Sequence, residues 1–176
     1  MQAIATLLKH AEHEATRQMW QTLRSSCDLT GIKVPENPHF SWMVAEEFDE
    51  AAARRVFQGM ATKIEGLNIN TNGLGLFTSK KPILYIPIVK TKELMDLHEE
   101  LWRQLSPFGS HLENFYHPSE WIPHITLASE DLTISRLQCI LESIAQVPIN
   151  ATFAVDNLAL IYSDENSAGI NFIQEF

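Results

Sequence analysis

The sequence predicts an α+β protein with mainly antiparallel sheets and helices packed outside them, and three observations lead there. Segments with a 3.6-residue apolar period are interspersed with short extended segments bounded by turn residues. Their order repeats: a strand, a helix and two strands, then a strand, a helix and two strands again. A hydrophobic content of 45% with 20% charged residues and four tryptophans is that of a chain folded throughout. At 176 residues it fits one domain, or two small lobes sharing a core.

Residues 2–26 place Ile4, Leu7, Leu8, Ala11, Ala15, Met19 and Leu23 near a helical period, so a long amphipathic helix is expected there. Gly31, Pro35 and Pro38 punctuate an extended segment before a strand from His39 to Glu46. Asp49 is suited to cap a helix that Gly66 ends. Extended runs Leu67 to Thr78 and Pro82 to Val89 flank a hairpin turn at Ser79-Lys80-Lys81. Thr91 caps a helix reaching Leu105, with Leu94, Leu97, Leu101 and Leu105 on one side. From Ser106 to Glu120 periodicity disappears, and a loop of that length usually has a role. Trp121 to Ser129 is strand-like. A helix opening at Glu130-Asp131 and running to about Gln146 follows. The last strands are Ala151 to Tyr162 and Gly169 to Phe176, parted by the turn-rich 163–167.

No apolar run approaches the roughly 18 residues a membrane helix needs, and Lys9, His10, Glu12 and His13 stand where a signal peptide would be apolar. A cytoplasmic protein is expected. Cys27 and Cys139 are far apart with no second pair, which suggests neither a disulfide framework nor a zinc site and leaves both as buried or idle thiols. A net charge of −9 argues against holding long nucleic acid, because that affinity comes from many Lys and Arg on phosphates. A nucleic-acid substrate would be small or gripped at its end.

Two tetrads carry the chemistry: His39-Phe40-Ser41-Trp42 and His124-Ile125-Thr126-Leu127. On a strand, His39 and Ser41 share one face and His124 and Thr126 likewise, so each motif offers an imidazole and a hydroxyl on a stiff element. Hydroxyls can donate to phosphate oxygens; one histidine can take a proton from a nucleophile while the other gives one to the leaving oxygen. Histidine suits both roles because its pKa near 6.5 keeps both forms present around neutrality. Chance produces such a tetrad on the order of 0.2 times in a chain of this composition. Here two stand 85 residues apart, each preceded by proline, Pro38 and Pro123.

With this pair the chain resembles the two-histidine (2H) phosphoesterases, which include the so-called 2′-5′ RNA ligases and the cyclic nucleotide phosphodiesterases. Their mark is two histidine-apolar-(Thr/Ser)-apolar motifs, one in each half of a bilobal α+β fold, and the likeness runs from about Pro38 to Phe176. It implies one bilobal domain over 1–176, its two mainly antiparallel sheets lining a central cleft with helices outside. The N-terminal helix would be 1–27, the first lobe about 30–105 and the second-motif half about 106–176. It implies His39 and His124 as the catalytic acid–base pair and Ser41 and Thr126 as phosphate-binding. Serine in the first motif keeps the hydroxyl; a long helix in place of an immediate first strand departs from the pattern.

The expected activity is a metal-independent phosphoesterase without cofactor, acting on a cyclic phosphate or a 2′-linked phosphodiester of RNA ends, oligonucleotides or nucleotide-derived small molecules. The alternative is a non-catalytic binder of a nucleotide or RNA end using the same cleft. Neither a membrane nor a long duplex is an expected partner. His10, His13 and His98 are read as members of polar helix faces, and His111 and His117 as surface residues of the long loop. Trp121 is read as a core cover, with base stacking by it or by Tyr116 the competing role. Lys80 and Lys81 are read as solvated, although they could steer a phosphate.

Overall fold

The computed structural model describes residues 1–27, 29, 38–129, 132–144, 147, 149–164 and 167–176, with 10–16 described as backbone alone. Its first element corrects the sequence expectation. Gln2–Leu7 is a strand, β1, and the helix α1 begins only at His10 and ends at Cys27. Ile4, Leu7 and Leu8 do fit a helical period, but Ile4, Ala5, Thr6 and Leu7 are all buried because strands pair with β1 on both edges and apolar groups cover both faces. Local periodicity cannot distinguish a helix stripe from a strand buried on both sides. The chain therefore has an early strand where the sequence reading had a departure.

The remaining strands are β2 (His39–Ala45), β3 (Glu47–Phe48), β4 (Asn68–Asn70), β5 (Gly75–Phe77), β6 (Ile83–Pro87), β7 (Gly109–Ser110), β8 (His124–Ala128), β9 (Thr152–Ala154), β10 (Asn157–Ser163) and β11 (Ala168–Glu175). The other helices are α2 (Glu50–Ile64), α3 (Lys92–Leu105) and α4 (Ile134–Ile144). Two caps stand where the sequence put them. Asp49 accepts from the Ala52 amide at 2.8 Å and Thr91 Oγ1 from Leu94 at 3.2 Å. Gly66, just past α2, has φ +83°, a conformation that favours glycine. The hairpin at 79–81 joins β5 to β6, and short 3₁₀ turns at Ser106–Phe108 and Asn114–Tyr116 structure the long loop. The acidic pair Glu130-Asp131 lies outside the described residues.

Seven strands form one antiparallel sheet in the order β11-β10-β1-β2-β8-β6-β5, with two-stranded ribbons β3-β7 and β4-β9 beside it. The two halves thus join into a continuous sheet where β2 meets β8, and among the described residues Phe40 with Ile125 is the one Cα pair between those strands. They are not the sequence halves. The last strands, β10 and β11, complete the half that holds the first motif, whereas β5 and β6 from the first part of the chain pair beside the second motif. Alternation reveals a strand's faces; its neighbours are chosen by long-range burial. Helices α1 and α4 pack together beside β8, and α2 and α3 pack together over β2, β10 and β11.

One apolar core, with Phe40, Trp42, Leu127, Leu160 and Trp121 in it, fills the space between sheet and helices. Ala5, Leu7, Ala159 and Ile161 form a small second cluster on the opposite face. Two further expectations are corrected. Cys27 and Cys139 are not free thiols but a disulfide, because the packing of α1 on α4 brings their Cα atoms to 5.7 Å across 112 residues of sequence. His98 lies on the buried side of α3 and is fully excluded from solvent, not on a polar face. Among the described residues no helix is long and apolar enough to cross a membrane.

Candidate active site

The site follows from the single pair that joins the half-sheets. Phe40 and Ile125 stand opposite each other and point into the core. Alternation then puts His39, Ser41, His124 and Thr126 on the other face. Because the strands run antiparallel, His39 lies on the Thr126 side of that pair and Ser41 on the His124 side. The two imidazoles occupy one diagonal and the two hydroxyls the other. Diagonal neighbours of this kind lie about 7–8 Å apart at the backbone, within reach of long side chains.

All four side chains are partly exposed. A cleft of about 270 Å³ opens on this face, with His39, Thr126 and Ser129 among its lining beside the aliphatic Ala3, Val44 and Ile161. Ser41 and His124 share the face without lining that cavity. The Trp20 indole donates to the Thr126 carbonyl at 3.2 Å, and Trp42 Nε1 donates to the buried Thr6 hydroxyl at 2.9 Å, so both motif strands are tied from the core side.

His124 is held by its backbone and by two aromatic rings. Its Nδ1 donates to the Ile122 carbonyl at 2.6 Å, an acceptor that fixes the proton on Nδ1 and leaves the Nε2 lone pair free in the neutral ring. Phe77 meets it edge-on at 5.0 Å between centroids and Tyr85 at 5.1 Å, while those two rings stack on each other at 4.1 Å. Position 75 must be glycine for this arrangement, since a Cβ there would fall 2.2 Å from Tyr85 Cζ. Burial in this aromatic corner lowers the His124 pKa below its ordinary value, against the Ile122 carbonyl, which favours the charged form.

Sequence reasoning did not single out Phe77, Tyr85 or Gly75. Their hairpin is legible in the sequence but nothing local ties it to the motifs; the pairing of Tyr85 with Thr126 brings them to the site. His111 is exposed with φ +46° and lies 2.8 Å from a Glu46 carboxylate oxygen. His117 is also exposed and meets the Ser119 hydroxyl at 2.9 Å. Lys80 and Lys81 are exposed at the hairpin tip. Trp121 is 1% exposed, so it covers the core and presents no stacking surface. Tyr116 packs against the core, and burial pushes its hydroxyl up to about 12. The His10 and His13 side chains lie outside what is described. Among the described residues no group of three or more His, Cys, Asp or Glu is placed to hold a metal ion.

The α+β fold, with its large antiparallel sheet and one histidine motif in each half of it, is consistent with the two-histidine phosphoesterases. A family model described as the 2′-5′ RNA ligase superfamily matches residues 10–167, and the chain belongs to that superfamily. It is also similar to a protein of Thermotoga maritima named RNA 2′,3′-cyclic phosphodiesterase, at 25% identity over 139 residues, covering 76% of this chain and 71% of that protein.

Proposed function

We propose that this chain is a metal-independent phosphoesterase that opens a 2′,3′-cyclic phosphate, or cleaves a 2′-linked phosphodiester, on an RNA end, an oligonucleotide or a nucleotide-derived small molecule. The observation that carries the reading is the Phe40–Ile125 pair, which sets two imidazoles and two hydroxyls on one open sheet face. The name of the Thermotoga maritima relative supports the cyclic phosphate as the first substrate to try.

In this reading Ser41 and Thr126 donate to the non-bridging phosphate oxygens. His124, kept neutral by burial and with its Nδ1 proton engaged, is the general base: Nε2 takes a proton from water as the water oxygen bonds to phosphorus. The bond from phosphorus to one ribose oxygen breaks, and that oxygen takes a proton from the His39 imidazolium. A phosphomonoester and a free hydroxyl result, with the two histidines in exchanged protonation states.

The test is a set of initial rates, in the presence of EDTA, on a nucleoside 2′,3′-cyclic phosphate and a 2′-5′ dinucleotide. His39→Ala and His124→Ala should each lose about 10²–10⁴ in rate, and Ser41→Ala or Thr126→Ala less. The double histidine variant should be little worse than the worse single one. A phosphodiester with a p-nitrophenyl leaving group, which needs no proton, should rescue His39→Ala and not His124→Ala. Near wild-type turnover by either folded histidine variant on a substrate the parent processes overturns the proposal.

A further inference from the structure

The sheet that carries the two motifs is barely continuous between them. Beyond Phe40–Ile125, β2 no longer pairs with β8, and the carbonyls along that stretch of β2 find other donors. Ser41 accepts from Trp121 Nε1 at 3.0 Å, Trp42 from His98 Nε2 at 2.9 Å, and Val44 from the Glu113 amide at 2.9 Å. The register with β1 explains why consecutive residues both need partners. Ile4 pairs with Met43 and Ala5 with Ser41, so Trp42 is the extra residue of a β-bulge, which re-aims the neighbouring backbone groups.

The first two donors form one unit. Trp121 and His98 are 1% and 0% exposed and stack at 3.8 Å between centroids, with Trp42 stacked on Trp121 at 5.4 Å. Trp121 also belongs to the segment leading into the second motif, three residues before His124. Its own amide donates to His117 at 2.9 Å, and Ile88 donates to the Pro123 carbonyl at 2.9 Å. The indole therefore reaches from the backbone of one motif to that of the other. An aliphatic side chain at either position would fill the space but leave a buried carbonyl without its donor.

We propose that Trp121 and His98 are positioning residues which, through the Ser41 and Trp42 carbonyls, hold the two histidine motifs at the separation the reaction needs. The proposal rests on the phosphoesterase reading above. A misplacement of about 1 Å can cost on the order of a hundredfold in rate, so a strut between the motifs acts on turnover more than on substrate affinity.

The experiment is a double-mutant cycle with kcat and KM measured on a nucleoside 2′,3′-cyclic phosphate. Trp121→Phe keeps an aromatic ring and removes the donor; kcat should fall about tenfold with KM within about threefold of wild type. In the His39→Ala background, where no pair of imidazoles remains to be held at a set separation, the same change should cost no more than about threefold. His98→Gln, with an amide at the reach of Nε2, should retain most of the rate, whereas His98→Met should lose about tenfold. The His98 pair decides the matter if Trp121→Phe does not fold. An additive cycle, or equal rates for folded His98→Gln and His98→Met, overturns the strut while the phosphoesterase reading stands. A wild-type protein that turns over neither substrate class removes that reading and the strut with it.

Discussion

Acidification should unfold this protein partly through one imidazole, His98. It is fully excluded from solvent, and burial pushes its pKa from 6.5 down to about 4, helped by the charges of Lys90 and His117 and opposed by the Trp42 and Tyr116 backbones. The Trp42 carbonyl accepts a hydrogen bond from Nε2–H, while Nδ1 has no hydrogen-bond partner among the described residues, so the neutral ring is the resident form. Below pH 6.5 the unfolded chain binds a proton here that the native state refuses. The stability this group contributes is whole above 6.5, declines between 6.5 and about 4, and declines no further below that. The full interval corresponds to about 3 kcal/mol, of which about 2 kcal/mol is lost by pH 5, a large share of a typical 5–15 kcal/mol. Urea unfolding followed by tryptophan fluorescence at pH 7 and pH 5 measures it, with His98→Gln as the comparison. Wild type should lose about 2 kcal/mol more than the variant between the two values. The same pH dependence in both proteins would refute the argument from burial.

Three further outcomes follow from other contacts. The Cys27–Cys139 bridge spans 112 residues, for which chain entropy gives an upper figure of about 4.8 kcal/mol, so a reductant or Cys139→Ser should lower unfolding free energy by about 2–5 kcal/mol in denaturant titrations. Phe77→Ala opens the aromatic corner to water and raises the His124 pKa toward its ordinary value. The acidic limb of the kcat/KM profile should then move to higher pH; an unmoved limb would remove His124 as the group seen there. Asn157→Leu strips the Leu7 amide and carbonyl of their 2.9 and 2.8 Å partners in a fully buried place, which should cost about 2–6 kcal/mol in the same titrations.

The sequence by itself determined the elements whose signals are local. Asp49 and Thr91 cap helices because a short polar side chain bonds the amide three residues on, whatever surrounds it. The motif strands were legible because alternation alone separates His39 and Ser41 from Phe40, and His124 and Thr126 from Ile125. Tertiary structure decided what meets what. Residues 2–7 became a strand because β2 and β10 were there to take both backbone edges, overriding a stripe that suited a helix. The packing of α1 on α4 turned two distant cysteines into a disulfide. His98 went inside because a bulge at Trp42 left a carbonyl that required a donor. Phe77 and Tyr85 reached His124 because β6 pairs with β8 across some 40 residues of intervening chain. A short stretch of sequence records which side of an element is apolar, whereas which elements share that burial is settled only when the whole chain competes for the same core.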